Sequence, residues 1–266
     1  MSKTRLDLLL LSRGLVPSRA KAQALIMAGQ VRVNGQVAIK PATKVEPSAR
    51  IEMAHRPRFV SRGGDKLLAA LNAFPVQVAG RVCADVGASA GGFTDCLLQH
   101  GAAKVYAIDV GKGILDWKLR NDPRVVVMEG TNARYVESLP EAVSLVTVDA
   151  SFISLKILLP VVRAWLSPTP AEKAGEVIAL IKPQFKAGRR DVSRGKGVIR
   201  DPEIHRRVLT EILHWAQKNS FVVRGLHRSP VLGPKGNAEF LAWLAAGGEA
   251  APEETLAAWV EEALGG

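Results

Sequence analysis

The chain has 266 residues, room for one large domain or two unequal ones, and with 47% hydrophobic and 23% charged residues it can bury a core. No segment approaches the roughly 20 apolar residues of a membrane span, and the N-terminal apolar run, Leu8 to Leu11, is too short for a signal peptide, so a cytoplasmic protein is expected. A net charge of +11 and a pI near 10.0 point to an anionic partner.

Residues 1–60 hold eleven Lys/Arg against three Asp/Glu, a net of +8. Leu6, Leu9 and Leu10 repeat at helical spacing, Pro17 interrupts them, and Ser18 is a good N-cap for a second helix faced by Ala22, Leu25 and Ile26. Gly29 stands where a left-handed residue ends a helix. Val31 and Val33 then alternate with Val37 and Ile39 across Asn34-Gly35, a hairpin signal because both turn positions need positive φ. The expected unit is a small α+β domain with Arg13, Arg19, Lys21, Arg32 and Lys40 turned outward. The stretch "RLDLLLLSRGLVPSRAKAQALIMAGQVRVNGQVAIKPATKVEPSARIEM" resembles the S4 RNA-binding domain over residues 4–53. That resemblance implies contact with structured RNA through shape and phosphates, by Arg5, Arg13, Arg19, Lys21, Arg32 and Lys40. Residues 1–59 are expected to be this domain and its linker.

From residue 60 the pattern changes. Apolar strand candidates at 81–87, 104–109, 125–128, 144–149, 177–182, 221–227 and 238–244 alternate with helices at 64–74, 92–100, 155–166 and 201–218. This predicts an α/β fold, a Rossmann-like, mostly parallel sheet over residues 60–248, with the last two strands as an antiparallel edge hairpin. Residues 249–266, with five Glu and no basic residue, predict an acidic packing helix. Cys83 and Cys96 are too few for a disulfide framework or a zinc site and read as small core residues; no metal site is expected.

"DVGASAGGFTD", Asp85 to Asp95, is a glycine-rich bend between a strand and a helix. As a dinucleotide loop it is weak, since Ser89 replaces the second glycine of G-x-G-x-x-G. As a nucleophile elbow built on Ser89 it lacks a histidine at a later strand end: His55 precedes it, His100 follows too soon, His205 and His214 fall in a helix, and His227 has no obvious acid partner. A nucleoside pocket fits best. Asp109 ends the second strand 22 residues after Gly87, where a carboxylate can accept both ribose hydroxyls. Gly91-Gly92 admits a ligand with an amino-acid tail. The arrangement resembles the S-adenosylmethionine site of Rossmann-like methyltransferases, with Gly87, Ser89, Gly91, Gly92, Phe93, Asp109, Asn132 and Asp149 as contacts. Asn132 is expected at the adenine edge, Phe93 at the cofactor or in the helix packing, and Trp117 in packing.

Lys66 in "VSRGGDKL", Asp149 in "VTVDASF", Lys182 in "IALIKPQF" and Glu239 inside the apolar strand of "GNAEFLAWL" are charged residues in apolar surroundings, which is rare unless they are paired or functional. One reading is two buried Lys–carboxylate ion pairs. The other comes from a resemblance: this Lys-Asp-Lys-Glu order resembles FtsJ-type ribose 2′-O-methyltransferases. Together with the S4 segment, "FVSRGGDKL", "DVGASAGGFTDCLLQ", "VDASFISL", "LIKPQF" and "GPKGNAEFL" make residues 4–245 similar to the TlyA family, also labelled haemolysin A. The resemblance implies cytidine 2′-O-methylation of ribosomal RNA, with Lys66, Asp149, Lys182 and Glu239 as the catalytic set, and leaves open which ribosomal subunit is modified. Ala90 and Ala150 depart mildly from the family pattern.

The reaction needs oxygen, methyl carbon and sulfur held in line and a route for the proton. Lys182 is the candidate beside the 2′-oxygen. A neighbouring Lys66 favours its neutral, basic form and the two carboxylates its charged form, so a base and an oxyanion stabiliser both stand. The basic loop after Lys182, with Lys186, Arg189, Arg190, Arg194 and Lys196, is expected to clamp the RNA backbone. Two rivals remain: a membrane-active haemolysin, for which no spanning or barrel pattern is visible, and a non-catalytic ribosome-assembly factor, against which the complete charged set argues.

Overall fold

The chain, seen as a computed structural model, is described over residues 3–53, 57–151, 153–167, 174–185, 198–233 and 235–265. It divides into two compact units, Met1–Pro57 and Arg58–Gly266.

In the first unit α1 (Leu6–Ser12) packs on α2 (Arg19–Met27). The Ser18 hydroxyl accepts the Lys21 amide at 3.2 Å, as an N-cap should. β2 (Val31–Val33) pairs antiparallel with β3 (Gln36–Ala38) and β5 (Ile51–Met53), and β1 (Thr4–Arg5) with β4 (Lys44–Val45). Asn34 and Gly35 both have positive φ, 51° and 83°, which is what the tight hairpin demands. Val37 and Ile39 are nevertheless exposed; β3 stops at Ala38 and the sheet buries only its Val31 side. The core is Leu6, Leu10, Ala22, Ile26 and Val31 around one charge, the fully buried Asp7. Its carboxylate accepts hydrogen bonds from Arg5 (3.0 and 2.9 Å), Arg19 (3.0 Å) and Gln23 (3.0 Å), so it joins α1 to α2. The Arg5 guanidinium, chiefly, holds that carboxyl well below the usual carboxylate range.

The second unit is a seven-stranded sheet of β6 (Val82–Val86), β7 (Lys104–Asp109), β8 (Val125–Glu129), β9 (Leu145–Val148), β10 (Glu176–Ile181), β11 (Val222–Arg228) and β12 (Phe240–Ala245), in the order β11-β12-β10-β9-β6-β7-β8. All pairings are parallel except those of β12, which runs antiparallel between β10 and the edge strand β11. One face packs on α3 (Gly63–Ala73) and α4 (Gly92–Gln99), which with a short α5 (Trp117–Arg120) bury Leu67, Leu97 and Leu119. The other is covered by α6 (Leu155–Trp165), α7 (Pro202–Lys218) and α8 (Glu253–Gly265). The acidic α8 packs on α7 and β11 and pairs Glu261 with Arg206 at 2.6 Å. Cys83 and Cys96 are core residues whose burial pushes both thiols up to about 12. No helix among the described residues is long and apolar enough to cross a membrane.

Asp85 sits in β6 with no exposure, accepting hydrogen bonds from the Thr94 hydroxyl (2.7 Å) and the Thr147 hydroxyl (3.1 Å). Burial pushes its carboxyl up to about 7. Since the unfolded carboxyl titrates near 3.9, the native state is weakened progressively as pH rises from about 4 to about 7. Asp85→Asn is therefore expected to be more stable than wild type at pH 8, by up to a few kcal/mol, with the gap closing toward pH 4. Melting temperatures across that range check this; a gap independent of pH would contradict it.

Candidate active site

The parallel strands bring the chemistry to their carboxyl ends. Past Val86, Gly87 (φ 83°), Ser89 (φ 50°) and Gly91 (φ 94°) all take left-handed backbone before α4 begins. A Cβ on Gly87 would stand 2.7 Å from the Asp149 carbonyl oxygen, so the bend lies directly against the segment after β9. Gly87→Ala should lower cofactor affinity at least about tenfold through strain and displacement of the bend, measured by calorimetry; unchanged affinity would show that the contact does not shape the site.

Two cavities adjoin there. The first, about 290 Å3, is lined by Ser89, Asp109, Ile114, Asn132, Ala150 and others; the second, about 280 Å3, by Ser61, Arg62, Gly63, Lys66, Gly92 and Phe93. Gly87, Ser89 and Asp149 line both. Asp109 ends β7 and accepts the amides of Ser89 (2.8 Å) and Gly111 (2.7 Å), one on each carboxylate oxygen. Asn132 borders the first cavity while its side-chain oxygen caps the Ala133–Tyr135 turn through the Arg134 amide (3.1 Å). Phe93 is buried in the helix packing and also borders the second cavity.

The charged residues resolve into two pairs. Lys66 Nζ lies 2.5 Å from Glu239 Oε2, with side chains only 9% and 1% exposed, and Lys182 Nζ lies 2.5 Å from Asp149 Oδ1. Because Lys66 and Asp149 line the same cavity, the pairs stand in one cleft. Of the two ion pairs only Lys66–Glu239 is buried; Lys182–Asp149 is half-buried at the edge of the cleft. Glu239 is not inside a strand: it immediately precedes β12, where its carbonyl takes the Ser229 amide at 2.9 Å and its side chain turns to Lys66.

Two residues here carry weight that the sequence did not suggest. Ser151 places its hydroxyl 3.0 Å from Lys182 Nζ, giving the ammonium a second fixed partner. Glu129 accepts the amides of Gly113 (2.8 Å), Ile114 (3.0 Å) and Leu115 (3.0 Å), so it pins the loop that walls the first cavity; the nearby Arg120, first, and these amides hold its carboxyl at about 2. Trp117 corrects the packing expectation. It is 77% exposed, because Leu115 and Leu119, two residues to either side, take the buried face. In the first unit Arg13 donates to the carbonyl oxygens of Ala49 (2.9 Å) and Pro47, and Arg32 to that of Gly35 (3.0 Å), while Arg13, Arg19, Arg32 and Lys40 remain exposed and Arg5 and Lys21 half-buried. Lys186, Arg189, Arg190, Arg194 and Lys196 lie outside the described residues.

A mostly parallel seven-stranded sheet with a glycine bend after its first strand and an acid ending the next defines a Rossmann-like methyltransferase domain. Residues 59–246 match the FtsJ-like methyltransferase family and residues 4–51 the S4 domain. The chain belongs to the FtsJ-like methyltransferases and, within them, to the TlyA family. It is 45% identical to YqxC of Bacillus subtilis over 98% of this chain and 94% of that one. It is 45% identical to TlyA of Mycobacterium tuberculosis, a 16S/23S rRNA (cytidine-2′-O)-methyltransferase, over 91% and 90%. A solved structure from Streptococcus thermophilus that carries a hemolysin name superposes with a TM-score of 0.73 at 40% identity, covering 99% of this chain and 96% of that one.

Proposed function

We propose that this protein is an rRNA (cytidine-2′-O)-methyltransferase, which moves a methyl group from S-adenosylmethionine to the ribose 2′-hydroxyl of a cytidine in 16S or 23S rRNA and acts in the cytoplasm. The observation that carries the reading is the meeting of two cavities at Asp149, with Lys182 paired to that carboxylate and the Lys66–Glu239 pair on the same cleft. The residues suit the cofactor. The first cavity offers a carboxylate, an amide side chain and apolar walls, the set a nucleoside takes; Gly87 keeps any side chain out of the junction with Asp149. Asp109 would hold the ribose hydroxyls and Asn132 the adenine edge. Ser89, Gly91, Gly92 and Phe93 would border the amino-acid tail.

When bound, the cofactor supplies a methyl already activated on sulfonium. The protein must then orient the hydroxyl and handle its charge. Lys182, fixed by Asp149 at 2.5 Å and Ser151 at 3.0 Å, is an oriented cation. We assign it stabilisation of the charge that develops on the 2′-oxygen as the hydroxyl proton leaves to solvent water, with Lys66 as a second cation held in place by Glu239. Arg5, Arg13, Arg19, Lys21, Arg32 and Lys40 would contact rRNA phosphates, joined by the basic residues between Lys186 and Lys196. The test is transfer of tritiated methyl from S-adenosylmethionine to unmodified rRNA, followed by alkaline hydrolysis. A 2′-O-methyl group blocks cleavage at its own phosphodiester, so label is expected in alkali-resistant dinucleotides. Label in mononucleotides would refute the reaction type.

A further inference from the structure

Four apolar side chains stand exposed beyond β7 and β8. Val110 and Ile114 line the first cavity, so a cofactor would cover them. Trp117 and Tyr135, 77% and 69% exposed, are not among its lining residues. The backbone that carries each is fixed. The Asp116 amide donates to the Ala90 carbonyl (3.2 Å), the Asp116 carboxylate caps the Lys118 amide (2.9 Å), and the Asn121 side chain donates to the carbonyl of Trp117 itself (2.7 Å). The Tyr135 amide donates to the Asn132 carbonyl (3.0 Å), and the Arg134 guanidinium carbon lies 4.8 Å from the centre of the tyrosine ring. The two segments adjoin: Asp109 pairs with Glu129 in the sheet, Gly130 donates to Gly111 (2.9 Å) and Thr131 to Asp109 (2.9 Å).

We propose that Trp117 and Tyr135 are a stacking surface for unpaired bases of the RNA strand that carries the target ribose. The proposal rests on the methyltransferase reading above and adds a substrate contact to it. A flat ring held open in water suits a base, whose own faces are flat and apolar. Lys118, Arg120 and Arg124 near Trp117 are paired with Asp95 (3.3 Å), Glu129 (2.8 Å) and Asp122 (2.7 Å), so the positive frame is that of the whole chain, net +11, with Lys112 and Arg134 in the two segments that carry the rings. A strand of phosphates complements that frame, whereas a second copy would bring the same positive charge against it. A 2′-hydroxyl reaches a cleft more readily from an unpaired strand, where bases are free to stack on protein rings.

Trp117→Ala, Tyr135→Ala and the double variant test this with unmodified 16S and 23S rRNA transcripts. The expected result is a rise in the KM for RNA on the order of tenfold for each ring, little change in kcat, and unchanged calorimetric affinity for S-adenosylmethionine. Trp117→Phe should recover most of the loss. An unchanged RNA KM in the double variant, while wild type methylates, overturns the surface alone. So does lost cofactor affinity, or a wild-type dimer in sedimentation that the double variant no longer forms. Wild type that labels neither transcript defeats the functional reading as well, which keeps the two failures apart.

Discussion

Lys182→Ala is expected to lower the rate of methyl transfer on the order of a thousandfold or more while cofactor affinity stays within about twofold. The geometry separates the two effects. Lys182 follows β10 and meets Asp149 and Ser151, whereas the nucleoside-sized cavity is walled by Asp109, Ile114 and Asn132 and does not include Lys182 in its lining. Removing the ammonium unpairs Asp149 at the edge of that cavity but leaves Asp109, Ile114 and Asn132 in place, and it takes away the oriented charge that the proposed mechanism puts beside the reacting oxygen. Lys182→Arg should recover little, because a planar guanidinium cannot reproduce a compact ammonium seated between a carboxylate and a hydroxyl. Single-turnover kinetics with calorimetry on the same protein checks both halves. Lost cofactor affinity in Lys182→Ala would reassign the residue to binding.

Lys66→Met should destabilise the second unit by about 3–5 kcal/mol, because it leaves the Glu239 carboxylate buried without its cation. For a unit of this size that is a fall in melting temperature on the order of 10 °C. The double variant Lys66→Met with Glu239→Gln should regain much of the stability, since no buried charge remains, yet stay inactive. That pattern would show a pair kept for the reaction and not for the fold. A double variant as unstable as the single one would mean that the side chains pack the cleft by shape. A double variant with full activity would remove both from the reaction.

The strands of the sheet were legible because burial on both faces makes each a nearly continuous apolar run. β7 begins and ends at the residues expected, Lys104 and Asp109, where polar side chains bound the run. The hairpin turn was legible through Asn34-Gly35, since few other residues accept two positive φ angles in succession. Elements of two to four residues, such as β4 and α5, contain no full period, so no pattern announces them. Charge inside apolar stretches exposed Lys66, Asp149, Lys182 and Glu239, but which lysine meets which carboxylate depends on how β9, β10 and β12 lie relative to α3. Asp7, Ser151 and Glu129 act through partners that are backbone amides or side chains brought near only by the fold. Trp117 misled because an aromatic among apolar neighbours reads as core, and only the direction of Leu115 and Leu119 decides otherwise.

The most direct measurement is nucleoside mass spectrometry after purified protein and S-adenosylmethionine are incubated with unmodified ribosomal subunits and with free rRNA. A cleft built from Asp149, Lys182, Lys66 and Glu239 beside a nucleoside-sized cavity predicts 2′-O-methylcytidine as the one new nucleoside, absent with Lys182→Ala. A base-methylated nucleoside, methylated protein, or 2′-O-methylcytidine that persists with Lys182→Ala would contradict it.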